Sequence, residues 1–151
     1  MNRFCILHIE DDENDVFLLE RAFNDAGIAV ARQVVHDGQE AIDYLLGAGE
    51  YGDRNRFPLP RLIILDLKMP RKGGLEVLEW LRDQPTLSSI PVIVLSSSGN
   101  EGDIDRAYEF GANSFVVKPG SMEKRLELVE HIQGYWLEFN ETPRALSRVM
   151  V

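Results

Sequence analysis

Several things are scarce in this 151-residue chain, and each scarcity removes a class of protein. There is a single cysteine, so no internal disulfide can form, and the place of Cys5 in an apolar run predicts a buried, unreactive thiol. No apolar run approaches the roughly 18 residues of a membrane span. The N-terminal stretch MNRFCILHIEDD has too short an apolar core for a signal peptide, and acids stand where small residues would mark a cleavage site. Basic residues are few, 16 against 25 acidic ones for a formal net charge of −9, and none form a run that could track a phosphate backbone, which argues against direct nucleic-acid binding. No glycine-rich nucleotide loop of the G-x-G-x-x-G or G-x-x-x-x-G-K-[ST] type follows any strand-like run. The three histidines are not obvious metal ligands or phosphodonors: His8 lies within an apolar run, His36 just after one, and His131 on a polar helix face. These absences leave a soluble cytoplasmic protein with one domain and no membrane contact, since the length suits a single core of ordinary size.

What is present is alternation. Short runs rich in Ile, Val and Leu at residues 4–9, 30–35, 62–65, 92–95 and 114–117 lack strict polar alternation, as strands covered on both faces do. Segments of helical period follow them at residues 13–26, 38–46, 75–83, 101–110 and 121–139. Five β-α pairs predict an α/β fold with an open parallel sheet, helices on both faces and right-handed crossovers. Gly27, Gly111 and Pro91 punctuate these elements, and residues 47–60 form the one long connection.

In open parallel sheets, ligands bind outside the carboxyl ends of the strands. Those ends carry Glu10-Asp11-Asp12, Asp66-Leu67-Lys68, Ser96-Ser97-Ser98 and Lys118-Pro119. Carboxylates about 4 Å apart repel by about 4 kcal/mol at an effective dielectric near 20, so the acidic cluster needs a counter-charge. A set of carboxylates without a His/Cys group suits a hard oxygen-liking cation such as Mg²⁺. Lys118 adds a point charge and Ser96 a hydroxyl, each suited to a phosphate oxygen. Taken singly, each residue has a plainer reading: Asp11, Asp12 or Glu13 as a helix N-cap or first-turn acid, Lys118 as a surface lysine, the serines as a turn. All four strand ends carrying such groups at once favours a phosphoryl-transfer centre.

The segments ILHIEDD, LIILDLKMPRKGGLEVL, IPVIVLSSSG and GANSFVVKP, in this order and spacing, resemble the receiver domain of two-component response regulators, the CheY-like flavodoxin fold. The resemblance implies a five-stranded parallel sheet of order 2-1-3-4-5, a receiver domain over residues 3–140, and a short tail over 141–151 with no output domain. It makes Asp66 the phosphoacceptor for a sensor histidine kinase, Ser96 the switch hydroxyl, Lys118 the phosphate-binding lysine and Phe115 the switch aromatic. Mg²⁺ would be held by Glu10, Asp11, Asp66 and the backbone carbonyl of Lys68, and the Lys118–Pro119 peptide would be cis. The chain would be no enzyme beyond its own phosphotransfer and autodephosphorylation. Glu10-Asp11 stands where Asp-Asp is commoner, Ser96 where Thr is more frequent, and Phe115 where some relatives carry tyrosine. Lys68, two residues past the acceptor, is placed to cover the phosphate and slow its hydrolysis.

The loop at 47–60, PRKGG, and the ending GYWLEFNETP further resemble small stand-alone regulators that partner bacterial phytochromes, implying a phytochrome-type kinase and an unknown downstream protein. On the last helix, Met122, Leu126, Val129 and Trp136 form one stripe and Leu128, Ile132, Tyr135 and Phe139 another, wider than one sheet face needs. The surplus predicts a homodimer through residues 121–139. Rival readings are a phosphorylation-silent receiver-like module and an aspartyl-nucleophile phosphohydrolase of the haloacid-dehalogenase kind, which would want an acid where Lys68 stands.

Overall fold

A computed structural model describes residues 5–143. Five parallel strands, β1 (Cys5–Ile9), β2 (Ala31–Val35), β3 (Leu62–Leu65), β4 (Val92–Ser96) and β5 (Ser114–Val117), form one sheet in the order β2-β1-β3-β4-β5. Helices α1 (Glu13–Asp25), α2 (Gly38–Leu46), α3 (Gly74–Arg82), α4 (Glu101–Glu109) and α5 (Met122–His131) connect and follow them. This is the predicted flavodoxin-like architecture. The predicted element edges shift by a residue or two, as helix and strand ends do. The predicted tail falls largely outside the described residues.

The two faces of the sheet are built by alternation. Ile63 and Leu65 of β3 point into a cluster with α2, α3 and α4, through Tyr44, Leu78 and Ala107. Leu62 and Ile64 point the other way, into a cluster with α1 and α5, through Phe23 and Val129. Both faces of β1, β3 and β4 are thereby buried, which is why those strands read as unbroken apolar runs. The edge strands β2 and β5 are only half-buried. Cys5 lies fully inside, beside Tyr44 and the Pro58 carbonyl, and burial pushes its thiol up to about 11, as an inert core cysteine requires.

Local chemistry sets the helix starts. Asp12, Asp37, Asn100 and Ser121 each cap a helix by accepting from a backbone N–H of its first turn. Helix α3 starts instead on Gly73-Gly74 without a side-chain cap. A Cβ at Gly74 would collide with the Asp66 carbonyl, so glycine lets the helix approach the end of β3.

The last helix departs from expectation. Only Met122–His131 is α-helical; Ile132–Phe139 is a π-helix, closed by an Asn140 N–H donating to the Tyr135 carbonyl at 2.7 Å. The wider turn breaks the 100° register assumed for two straight apolar stripes. Val129 and Ile132 are buried and Trp136 and Leu137 pack against the same cluster, while Tyr135 and Phe139 remain 53% and 78% exposed.

Candidate functional site: an acidic rim with one lysine

The register of the sheet creates the site. Ile9 pairs with Leu65, so β1 and β3 end side by side, and the Asp66 N–H donates to the Ile9 carbonyl at 3.0 Å. Glu10 and Asp66 therefore sit on adjacent strand ends, with 1% and 7% exposure, and Asp11 stands exposed beside them. One oxygen from each of Glu10, Asp11 and Asp66 lies within 4.8 Å of the others, a spacing that fits a single cation. The donors are all carboxylates and one is solvent-facing, so the set suits Mg²⁺ with waters completing its shell.

Lys118 reaches into this group from the end of β5. Its Nζ lies 2.6 Å from Asp15 Oδ2, 2.8 Å from Glu10 Oε1 and 3.9 Å from Asp66 Oδ1. Its main chain is fixed by an N–H donated to the Ser96 carbonyl at 2.7 Å. Ser96 ends β4 with 1% exposure, and its Oγ accepts from the Ser98 N–H at 3.3 Å.

Burial pushes Asp66 above the usual carboxylate range, opposed by Lys118, by a side-chain hydrogen bond with Glu10 and by the Lys68 N–H. Burial likewise pushes Glu10 up to about 7, against the pull of Lys118 and of the Asp12 N–H, while the neighbouring Asp66 charge adds to the rise. Lys118 moves up despite its own burial, because Asp15, Glu10 and Asp66 all favour the ammonium. The acids thus outnumber the one ammonium that answers them, and the negative charge left over favours a further, divalent cation.

The residues picked from the sequence are brought together at Glu10, Asp11, Asp66 and Lys118, with Ser96 on the neighbouring strand. Lys68 is exposed at the rim, its N–H directed to Asp66. Phe115 is half-buried, packed on the α2–α4 side of the sheet, with its N–H donating to the Tyr108 hydroxyl at 3.1 Å. Asp12 serves α1 as its cap and stands outside the acidic group.

One expectation is corrected. Among the described residues every peptide bond is trans, Lys118–Pro119 included; trans is the lower-energy form of an X–Pro bond by about 0.5–1 kcal/mol. Two residues were missed. Asp15 lies in the first turn of α1, just past the Asp12 cap, so the start of the helix keeps it near the end of β1. His8 lies beneath the site with 4% exposure, and burial, with Lys118 nearby, lowers it to about 4. Nothing in an apolar strand segment marks such a histidine before the fold is known.

Against known proteins, residues 6–132 match the response regulator receiver domain model. The response regulator Rcp1 of Synechocystis is 35% identical over 140 residues, 93% of each chain, and a solved Mn²⁺-bound form of Rcp1 superimposes with a TM-score of 0.80. Response regulator RPA3017, in red light signaling of R. palustris, is 32% identical with a TM-score of 0.88, covering 93% of this chain and 98% of that one. The phosphorylated cyanobacterial phytochrome response regulator RcpA is 36% identical with a TM-score of 0.84, over the same shares. An acidic strand-end group answered by one lysine, on a 2-1-3-4-5 sheet matched over nearly its whole length, makes this chain a member of the response regulator receiver-domain family.

Proposed function

We propose that this chain accepts a phosphoryl group on Asp66 from a phosphohistidine of a sensor histidine kinase and passes the signal on by changing a protein-binding surface. The observation that carries this reading is the convergence of Glu10, Asp11 and Asp66 within 4.8 Å, with the Lys118 ammonium 3.9 Å from Asp66. Glu10, Asp11, Asp66 and the Lys68 carbonyl are the residues we assign to Mg²⁺. When bound, the cation offsets the carboxylate repulsion and the charge gathered on the transferring phosphoryl group.

An ionised Asp66 oxygen attacks phosphorus; the new O–P bond forms as the N–P bond breaks, and the leaving imidazole nitrogen keeps the electron pair. The Lys68 N–H and Lys118 favour the ionised form of Asp66, in opposition to its burial. The product carries extra charge next to Lys118, and the Ser96 hydroxyl is drawn inward to share it. Two such charge-assisted hydrogen bonds contribute about 3–6 kcal/mol together. Moving a two-state equilibrium from 1:99 to 99:1 takes about 5.5 kcal/mol, so these contacts are of the right size to drive the switch. Space vacated by Ser96 lets the Phe115 ring turn inward, remodelling the face on which Tyr108 and Val117 are both 50% exposed. Catalysis in this reading is confined to the chain's own phosphotransfer and autodephosphorylation.

The kinase is of the phytochrome type, a reading supported by the likeness to RPA3017 and RcpA. The exposed Tyr135 and Phe139 support a homodimer through the C-terminal helix. Incubation with phosphoramidate and Mg²⁺, followed by intact mass, tests the centre of the proposal: the wild type gains one phosphoryl group and Asp66→Ala gains none. An unmodified wild type, or equal labelling of the variant, overturns it.

A further inference from the structure

Asp15 makes the shortest contact of Lys118, 2.6 Å, yet it stands outside the acidic group that fits a cation. The other two partners of Lys118, Glu10 and Asp66, both belong to that group. A cation on Glu10 and Asp66 takes up their charge, and Asp15 is then the carboxylate left to orient the ammonium. A cavity of about 50 Å³ between α1 and α5, bordered by His8, Asp15, Lys118 and Arg125, lies beside this contact, so the surrounding side chains do not by themselves wedge the lysine in place. A free lysine loses much rotamer freedom when a phosphoryl group captures it. A lysine already tethered has lost that freedom on folding.

We propose that Asp15 is a positioning residue for phosphoryl transfer: it clamps Lys118 from the α1 side, leaving a donor of the ammonium directed at Asp66. An ammonium has three donors, so a bond to Asp15 and a bond to a phosphoryl oxygen are compatible. The 3.9 Å gap to Asp66 Oδ1 is where the added oxygens arrive, so Lys118 meets them without leaving Asp15. Asp15 thus acts before and during transfer as an anchor, and does not compete with the phosphoryl group. This inference rests on Asp66 being the acceptor.

The test is the rate of labelling by phosphoramidate with Mg²⁺, read by intact mass, for wild type, Asp15→Asn, Asp15→Glu, Lys118→Ala and the Asp15→Asn/Lys118→Ala double variant. Circular dichroism checks that each is folded. We expect Asp15→Asn to label about tenfold more slowly, the scale of one charge-assisted hydrogen bond. Asp15→Glu, which keeps the carboxylate, recovers most of the rate. On the Lys118→Ala background Asp15→Asn has no further effect, because the residue acts only through the lysine. Labelling by Asp15→Asn as fast as wild type, or faster, overturns the proposal, as does an equal slowing on both backgrounds. Wild-type protein that takes up no label, or takes it up equally without Asp66, brings down the acceptor assignment and this inference together. Normal wild-type labelling with an indifferent Asp15→Asn brings down this inference alone.

Discussion

At the scale of single residues, the site trades stability for charge. Glu10 has a folded-state value raised to about 7 from the ordinary 4.5, so between those pH values the folded protein binds more protons than the unfolded chain. Stability from this group is therefore present at low pH and is lost as pH rises through 7. Without metal, Glu10→Gln should match wild type near pH 4 and be the more stable of the two above pH 7 in urea denaturation, the direction the shift sets. Saturating Mg²⁺ should reverse the order at pH 8, because the wild type then gains a ligand for the cation. Two parallel stability-against-pH curves would refute the assignment. Lys68, exposed on the rim next to Asp66, should shield the phosphorylated carboxylate from water. Lys68→Ala is expected to lose its phosphoryl group several-fold faster, followed by intact mass after removal of the donor.

Among the elements, the connection from β3 to α3 is held in a specific shape. Arg71 sits at φ 64°, a left-handed conformation unfavourable for a residue with a side chain. Its guanidinium reaches Asp37 Oδ2 from Nε at 2.8 Å and Nη2 at 2.6 Å, while the Gly38 N–H donates to the Lys72 carbonyl at 3.1 Å. A Cβ at Gly38 would collide with Lys72, so the start of α2 and this loop are in direct contact. Burial works to raise Asp37, but the Glu40 N–H and Arg71 outweigh it and hold the carboxylate below its usual range. Because the guanidinium is largely exposed, the ion pair itself contributes little, about 0–1 kcal/mol. Backbone strain is the larger factor. Arg71→Ala and Arg71→Gly both lose the pair, but only glycine relieves the left-handed φ, so the glycine variant should be more stable by about 1 kcal/mol in chemical denaturation. Equal stabilities would mean that the loop does not keep this conformation.

For the molecule as a whole, Tyr135 and Phe139 stand exposed at the C-terminal end of the last helix, an apolar surface that a second copy of the chain would cover. If they meet the same face of a second copy, gel filtration should give a dimer with or without beryllofluoride, and Tyr135→Lys/Phe139→Lys should give a monomer that still labels on Asp66. A wild-type monomer under both conditions would refute the dimer. Among the described residues no helix is long and apolar enough to cross a membrane.

Strand order aside, most of the fold was legible in the chain. Buried parallel strands leave unbroken runs of Ile, Val and Leu, and amphipathic helices leave a 3.6-residue period, because both patterns come from local geometry meeting a two-sided sheet. The same logic placed Glu10, Asp11, Asp66, Ser96 and Lys118 on one rim, since each ends a strand or lies within two residues of its last one. Other features depended on distance in space. Asp15 became a partner of Lys118, 103 residues away, only when the fold brought the chain just past β5 to the first turn of α1. His8 became a buried neutral imidazole only when both faces of β1 were covered. The π-helix at Ile132–Phe139 wound wider than its sequence period suggested, bringing Trp136 and Leu137 together onto the core. Chemistry that sits at the ends of elements is written locally; which charged groups share one ammonium is decided by packing, because Coulomb and hydrogen-bond energies depend on distances that only the folded chain sets.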